Sequence, residues 1–272
     1  MEQLLWGPQP AAARRGPRPT LTLDDIARAG IAIADADGLA AVTMQRVAET
    51  LGVTKMALYR YVPGKSELVA LMIEMGLDAP PPPLGDDWRA TLDAWSHSLF
   101  ARFTAHPWAA EAAVGARLMG PNELGWLETA VAALSGNGLD GSEMLDVAVT
   151  LVGHVRSLAQ QISAATPPGT EGNTQTNAQG AAQTNAQGAA LTDAQGGTHA
   201  GAAMEHAIAA LVRGREDRFP ALAAALVAPA TEDGATTDKP DQALDFGLAR
   251  ILDGVSLLIA ERTTPPRGRR TR

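Results

Sequence analysis

Cysteine is missing from the 272-residue chain, and tyrosine occurs only twice. Without cysteine the protein can form neither disulfides nor zinc–thiolate sites, and cysteine nucleophiles are excluded. Aromatic residues make up only 4% of the chain, whereas apolar residues make up 46%. Because alanine supplies much of the apolar fraction, close-packed helices are favoured over strands rich in valine and aromatic side chains. The composition therefore predicts an all-α protein.

The chain also lacks long hydrophobic runs and an overall excess of positive charge. No apolar stretch approaches the roughly 20 residues of a membrane span, and the first residues lack the basic-then-apolar order of a signal peptide. We therefore expect a soluble, cytoplasmic protein with one or two domains. The formal net charge of −8 argues against non-specific coating of nucleic acid. Locally, however, residues 42–65 contain four Lys and Arg against one Glu, a net +3 that predicts a small cationic patch.

A helical periodicity of apolar residues begins at Thr22 and defines an N-terminal domain, residues 21–77. Proline cannot continue a helix, so Pro63 separates the last two helices of this domain. The proline-rich stretch APPPPLG, residues 79–85, then divides it from a second domain, residues 86–262. The four expected N-terminal helices start near Thr22, Thr43, Thr54 and Lys65.

Further helices are predicted along the second domain from the same three-and-four spacing. The first of them carries the stripe from Trp88 to Phe103 and is interrupted at His106-Pro107. The segments 143–163 and 241–261 carry the two longest amphipathic stripes. The remaining helices of this domain are expected at 122–135 and 202–213.

Three segments are expected to lie outside the folded domains. The repeat TNAQGAAQTNAQGAALTDAQGG, residues 176–197, has almost no bulky apolar side chains and cannot offset the entropy of ordering, so we expect disorder from about 166 to 200. Residues 1–20 are expected to form a flexible basic arm and residues 263–272 a basic tail. The arm either adds phosphate or minor-groove contacts or simply increases solubility. Its positive charges are Arg14, Arg15 and Arg18.

Two short helices joined by a glycine turn within about twenty residues are typical of a helix-turn-helix, whose second helix enters the DNA major groove. Here Gly52 relieves the turn, and the second helix starts with the polar residues Thr54 and Lys55. Many helical hairpins share this outline, so the pattern alone leaves a plain hairpin open.

Three strings occur in order within residues 22–77: TLDDIARAGIAIADADGL, TMQRVAETLGV and ALYRYVPGKSEL. Together they resemble the DNA-binding domain of the tetracycline-repressor (TetR) family of bacterial regulators. More weakly, FTAHPW at 103–108, GPNELGWLETAVAAL at 120–134 and FGLARILDGVSLLI at 246–259 are similar to the ligand-binding domain of that family. The resemblance implies an N-terminal three-helix helix-turn-helix domain joined to a helical ligand-binding and dimerisation domain. It also implies a homodimeric repressor that binds palindromic operators and releases DNA when a small molecule binds.

Carried onto this chain, the resemblance implies DNA contacts before the turn, along the second helix and at the start of the next helix. Lysine, arginine and tyrosine bind phosphate oxygens, whereas methionine and alanine meet the thymine methyl group. For Tyr61, packing against the domain core is an equal alternative, because it lies three residues after the apolar Leu58. The implied contacts are Thr43, Gln45, Lys55, Met56, Ala57, Tyr59, Arg60, Tyr61 and Lys65.

Four of the five tryptophans lie between residues 88 and 126. Indole rings line apolar ligand pockets, but they are also ordinary core residues, and both interpretations remain open for each. We favour a pocket for a planar aromatic ligand, an antibiotic-like or polyketide molecule, and we assign Trp108 to a helix junction instead. The candidate ligand-binding residues are Trp88, Trp95, His97, Phe100, Phe103, Met119, Asn122, Trp126, His154 and Arg156.

The segments 143–163 and 241–261 are the natural dimer surface, where they would form a four-helix bundle with the copies of a partner. The alternative is that both apolar stripes are buried within one chain. The histidines at 97, 106 and 154 lack the spacing of metal ligands, so we predict neither a metal site nor a cofactor.

One motif points to an enzyme. The string GNGLDG, residues 136–141, satisfies the dinucleotide pattern G-x-G-x-x-G, but it follows the helical LETAVAAL rather than a strand. We interpret it as a loop in which Gly136 ends one helix and Asp140 or Ser142 caps the next. The remaining hypotheses are a ligand-released repressor, a helix-turn-helix regulator that activates or answers another signal, and, disfavoured, an enzyme.

Overall fold

The computed structural model describes residues 2–7, 21–114, 117–165, 208–227 and 242–263, and within these ranges all regular structure is helical, as the composition predicts. Contacts within the chain divide the protein into two compact units. The larger unit comprises residues 1–160 and 247–272, and the smaller one comprises residues 161–246. A single 3-10 turn, Leu39–Ala41, follows the second helix. The α-helices are α1 (Glu2–Trp6), α2 (Leu23–Asp37), α3 (Met44–Thr50), α4 (Lys55–Tyr59), α5 (Lys65–Leu77), α6 (Trp88–Ala105), α7 (Pro107–Ala112), α8 (Pro121–Leu134), α9 (Gly141–Ala165), α10 (Pro220–Val227) and α11 (Gln242–Thr263).

Helix α2 starts and stops where its sequence indicates. The hydroxyl of Thr22 accepts from the backbone N–H of Asp25, and the Asp25 carboxylate accepts from the backbone N–H of Thr22, which completes a capping box. Hydrogen bonds from the hydroxyl and backbone N–H of Thr22 lower the pKa of Asp25. At the other end Gly38 adopts φ 80°, a conformation that favours glycine and ends the helix.

Helices α2 and α5 pack closely and form the core of the N-terminal domain. Ile26 and Met72 are both fully buried in this contact. Gly30 allows the approach, because a Cβ atom at this position would lie 2.7 Å from Sδ of Met72. The two longest helices of this region therefore share a buried apolar interface.

The C-terminal helices of the larger unit are joined by buried apolar stripes and by one arginine. On α6, Trp95 and Phe103 are almost fully buried. Arg89, near the start of α6, donates to the Ser256 hydroxyl of α11 and pairs with Asp253 at 2.7 Å. Side-chain contacts thus connect the first helix of this domain to the last one.

The loop with the dinucleotide-like pattern connects α8 to α9, as interpreted from the sequence. Gly136 has φ 82°. Asp140, rather than Ser142, caps α9: its carboxylate accepts from the backbone N–H of Glu143 at 2.9 Å and from the Ser142 hydroxyl. The hydrogen bonds from Glu143 and Ser142 lower the pKa of Asp140. Helices on both sides of the loop exclude the strand that a dinucleotide site requires.

Helix α1 differs from the predicted flexible arm. Leu5 is buried, and the indole N–H of Trp6 donates to the carbonyl oxygen of Met119 at 3.0 Å. These two contacts order the first residues against α5 and the segment before α8. The arm arginines, the repeat and the tail beyond Thr263 lie outside the described residues.

Two further helices, α7 and α10, have no counterpart among the predicted ones, whereas residues 208–212, within the predicted helix 202–213, are helical. In the smaller unit α10 is apolar yet has no buried residue. Among the helices of the described ranges, none combines the length and the apolar character that crossing a membrane requires.

Candidate DNA-binding and ligand-binding sites

Helices α3 and α4 form the predicted helix-turn-helix. Thr43 caps α3 by accepting from the backbone N–H of Arg46 at 3.1 Å, and Thr54 caps α4 by accepting from Ala57 at 3.2 Å. Between them Gly52 has φ 66°. Because each helix has its own hydroxyl cap and the turn has its glycine, this geometry follows from local sequence signals.

Helix α4 and the turn after it have one buried side and one exposed side. Leu58 and Val62 are completely buried and anchor this segment to the domain. Met56 is 71% exposed, and Tyr59 and Tyr61 are 38% and 39% exposed. The two tyrosines are thus nearly equal in exposure, so burial does not distinguish the proposed contact role of Tyr59 from that of Tyr61.

Positive charges surround this exposed side. The ammonium group of Lys55 lies 5.8 Å from the centre of the Tyr59 ring, within the range of a cation–π contact. Lys65 donates to the carbonyl oxygen of Leu39 at 3.4 Å, and Arg60 is exposed. Of the nine predicted contacts all are exposed except Ala57, which is half-buried.

The polar residues of α3 are held by side chains of their own domain. Gln45 donates to Glu49 at 2.6 Å, and Arg46 forms an ion pair with Asp37 at the end of α2. These partners are exposed, so the pairs can exchange for contacts with another molecule.

Trp95 of α6 and Trp126 of α8 form a buried pair. The Trp95 indole N–H donates to the carbonyl oxygen of Trp126 at 2.9 Å, and the two rings meet edge to face with centres 5.7 Å apart. Trp126 in turn donates to the carbonyl oxygen of Asp78 at 2.9 Å. Both indole donors are therefore satisfied within the protein.

Trp108 lies at a helix junction, in agreement with its interpretation from the sequence. Helix α6 ends at Ala105, and Pro107 occupies the first turn of α7. The Trp108 indole N–H donates to Oδ1 of Asp35 at 2.7 Å, and Nδ1 of His106 lies 2.9 Å from the same oxygen. This junction therefore contacts α2 of the N-terminal domain.

Asn122 connects α8 to α5. Its backbone N–H donates to the Glu74 carboxylate at 2.6 Å, and its side-chain amide donates to the Glu74 carbonyl oxygen at 2.9 Å. Burial raises the pKa of Glu74, although hydrogen bonds from the backbone N–H groups of Asn122 and Glu123 to its carboxylate oppose the change. Met119, another candidate, is 39% exposed and accepts the Trp6 hydrogen bond through its carbonyl oxygen.

The other candidate ligand residues lie on α6 and α9. Phe100 and Phe103 are buried with Trp95 in the helical core, whereas Trp88 and His97 are half-buried. His97 contacts the carbonyl oxygen of Asp93 through Nδ1. On α9, His154 and Arg156 are half-buried.

Helices α9 and α11 come very close at His154. A Cβ atom at Gly247 would overlap the imidazole ring of His154 at Nε2, so a larger residue at this position requires the ring or the helices to shift. Nε2 is buried and has no hydrogen-bond partner among the residues that the structure describes. Within the part of the chain that the structure describes, no group of three His, Asp or Glu residues lies close enough to hold a metal ion.

The same two helices border a shallow groove of about 300 Å³. Its floor is mainly apolar, and its acidic residues are Glu143 and Asp146. Apolar side chains of the two helices are also exposed, among them Val149 at 64% and Leu257 at 67%. The groove is lined by Glu143, Asp146, Val147, Thr150, Ile251, Gly254, Val255 and Leu258.

Comparisons with known proteins match both domains. Residues 26–72 match the family model for bacterial regulatory proteins of the tetR family, and residues 80–259 match the model for the tetracyclin repressor-like C-terminal domain. The chain is 34% identical over 271 residues to the HTH-type transcriptional repressor DrrR1 of Streptomyces coeruleorubidus. That alignment covers 96% of this chain and 86% of the relative.

Solved structures share the fold. Apo ActR from Streptomyces coelicolor is similar with a TM-score of 0.65 and 22% identity, over 90% of this chain and 99% of ActR. ActR in complex with actinorhodin gives 0.64 and 22%, over 92% and 100%. A TetR variant from Acinetobacter baumannii in complex with minocycline gives 0.56 and 18%, over 90% and 99%.

Proposed function

Because the chain belongs to the tetR family of bacterial regulatory proteins, we propose that it is a homodimeric repressor that leaves a palindromic operator when a small molecule binds. The family consists of transcriptional regulators and not of enzymes. The observation that carries the proposal is the exposed side of α4, where Met56 and Tyr59 face outward while Leu58 anchors the helix. We further propose residues 21–77 as the DNA-binding domain and 86–262 as the ligand-binding domain.

For DNA recognition we propose the nine residues named from the resemblance. Lys55 and Arg60 have the charge and reach for base edges or the neighbouring backbone. Tyr59 and Lys65 suit phosphate oxygens, and Met56 suits a thymine methyl group. The nine are Thr43, Gln45, Lys55, Met56, Ala57, Tyr59, Arg60, Tyr61 and Lys65.

For the dimer we propose that the groove of α9 and α11 receives the same two helices of a second copy. Its apolar floor and the exposed Val149 and Leu257 support this proposal, because exposed apolar patches of this kind are typical of interfaces. Leu257→Glu should shift the protein towards monomer in sedimentation equilibrium. Leu124→Glu, at an exposed leucine of α8, is the matched control and should leave the mass unchanged.

For the ligand we propose an aromatic, antibiotic-like molecule bound in the helical C-terminal domain. The support comes from proteins of similar fold: ActR was solved with actinorhodin, and a TetR variant with minocycline. Phe100, Phe103, Trp88, His97, His154 and Arg156 remain proposed contacts. Trp95, Trp126, Met119 and Asn122 remain candidates as well, although main-chain or side-chain groups of each already make internal hydrogen bonds.

Ligand release is tested by following two signals in one titration, the tryptophan fluorescence of the protein and the anisotropy of labelled DNA from upstream of its own gene. Actinorhodin and minocycline are the first probes. We expect one compound of this class to change the fluorescence and release the DNA over the same concentration range. DNA binding that no aromatic compound alters would contradict the ligand proposal and favour a regulator that answers another signal.

A further inference from the structure

The contact between the N-terminal helices and the helices that follow has a repeated chemical form. Acidic residues of α2 and α5, and the aspartate just after α5, accept hydrogen bonds from donors of α6, α7 and α8. Polar contacts of this kind are typical of interfaces between domains of one chain, which are more polar than obligate interfaces. The acceptors and their donors are Asp35 with Trp108 and His106, Glu74 with Asn122 and Glu123, and Asp78 with Trp126 and Arg102.

Asp35 makes the most concentrated of these contacts. Its Oδ1 atom accepts from the Trp108 indole N–H at 2.7 Å and lies 2.9 Å from Nδ1 of His106. The Trp108 side chain is almost fully buried, so an indole N–H without this acceptor would lose its partner away from water. The Asp35 carboxylate therefore favours one position of the α6–α7 junction relative to α2.

The same two rings also touch α5. A Cβ atom at Gly76 would lie 3.4 Å from Cη2 of Trp108 and 3.5 Å from Cδ2 of His106. The rings of His106 and Trp108 thus lie between α2, through Asp35, and α5, through Gly76. Both long helices of the N-terminal domain meet at one junction of the following domain.

We propose that Asp35 is a positioning residue. Through its hydrogen bond with Trp108 it holds the DNA-binding domain in the orientation that sets the distance between the two α4 helices of a dimer. This inference rests on the proposed function. It assigns no DNA contact to Asp35 and requires none.

The orientation matters only when two domains bind one DNA molecule. Once one DNA-binding domain occupies its half-site, the second domain binds intramolecularly. Its effective concentration at the second half-site depends on how it is oriented by the rest of the dimer. A duplex with one half-site needs a single α4 helix and is insensitive to that placement. Loss of Asp35 should therefore lower the affinity for the full operator and leave the affinity for a half-site unchanged.

The experiment measures anisotropy of two labelled duplexes, the palindromic operator found by footprinting upstream of the gene and a duplex with one half-site only. Asp35→Ala removes the acceptor, Asp35→Asn keeps a carbonyl oxygen for the indole, and Trp108→Phe removes the donor. Asp24→Ala is the control, since it removes one carboxylate from the exposed side of the same helix, 3.8 Å from Arg28.

We expect Asp35→Ala and Trp108→Phe to lose about tenfold in affinity for the operator and less than about twofold for the half-site. Asp35→Asn and Asp24→Ala should keep the wild-type ratio of the two affinities. Equal losses on both duplexes, unchanged binding to both, or an Asp35→Asn variant as weak as Asp35→Ala would overturn the inference. Wild-type protein that binds neither duplex would instead refute the proposed function.

Discussion

Helices α9 and α11 approach closely at Gly247, and the side chain of His154 decides whether a methyl group added there raises or lowers the free energy of unfolding. A methyl group at Gly247 would overlap Nε2 and Cε1 of His154, far inside the normal contact distance. The imidazole must move or the two helices must separate. We predict that Gly247→Ala lowers the free energy of unfolding even though it replaces a glycine within a helix.

The magnitude follows from two opposing terms. Overpacking a close contact costs about 1–3 kcal/mol. Alanine favours a helix over glycine by about 0.8–1.0 kcal/mol. The net loss should be about 0–2 kcal/mol in the wild-type background. In a His154→Ala background the space is open, so Gly247→Ala should then raise the free energy of unfolding by about 1 kcal/mol.

Urea denaturation of wild type, the two single variants and the double variant gives the coupling between the two positions. All four proteins are compared at one protein concentration, since the stability of a dimer depends on concentration. A stabilising Gly247→Ala in the wild-type background, or the same effect in both backgrounds, would refute the steric argument.

Three other changes follow from the burial and charge of single residues. Leu58→Ala should lower the free energy of unfolding by about 2–5 kcal/mol because Leu58 is completely buried. Met56→Ala, at a residue that is 71% exposed, should change the free energy of unfolding by less than about 0.5 kcal/mol in the same urea denaturation assay. Burial raises the pKa of Glu74, so the folded protein binds this proton more tightly than the unfolded chain does. The free energy of unfolding should therefore fall as the pH rises from the ordinary glutamate pKa through the raised one. Glu74→Gln keeps a hydrogen-bond acceptor and should flatten this fall in melting temperature, and an unchanged pH profile would contradict it.

The helices of the N-terminal domain could be predicted because their signals are local. The capping box of Thr22 and Asp25 and the left-handed conformation of Gly52 depend on neighbours within a few residues. The same holds for Asp140 at the start of α9, although sequence alone did not decide between it and Ser142. Such signals determine where a helix begins or ends, and they do not depend on tertiary contacts.

The partners of the tryptophans could not be predicted in this way. Trp108 donates to a carboxylate 73 positions earlier, and Trp126 donates to a carbonyl oxygen 48 positions earlier. A periodic stripe shows that an indole is turned inward, but it does not show which polar group meets the N–H. Helices α1 and α7 were not predicted, because five or six residues are too few to show the periodic spacing of apolar residues that identifies a helix.

Whether the exposed side of α4 binds operator DNA can be measured as the affinity for upstream DNA at increasing salt concentration. We expect salt-sensitive binding by wild type and weaker binding by Arg60→Ala, with a salt slope smaller by about one and an unchanged oligomeric state. Tyr59→Phe should also weaken binding. Absence of salt-sensitive binding at low salt, or an Arg60→Ala variant that binds like wild type, would show that this side of α4 is not the DNA-binding surface.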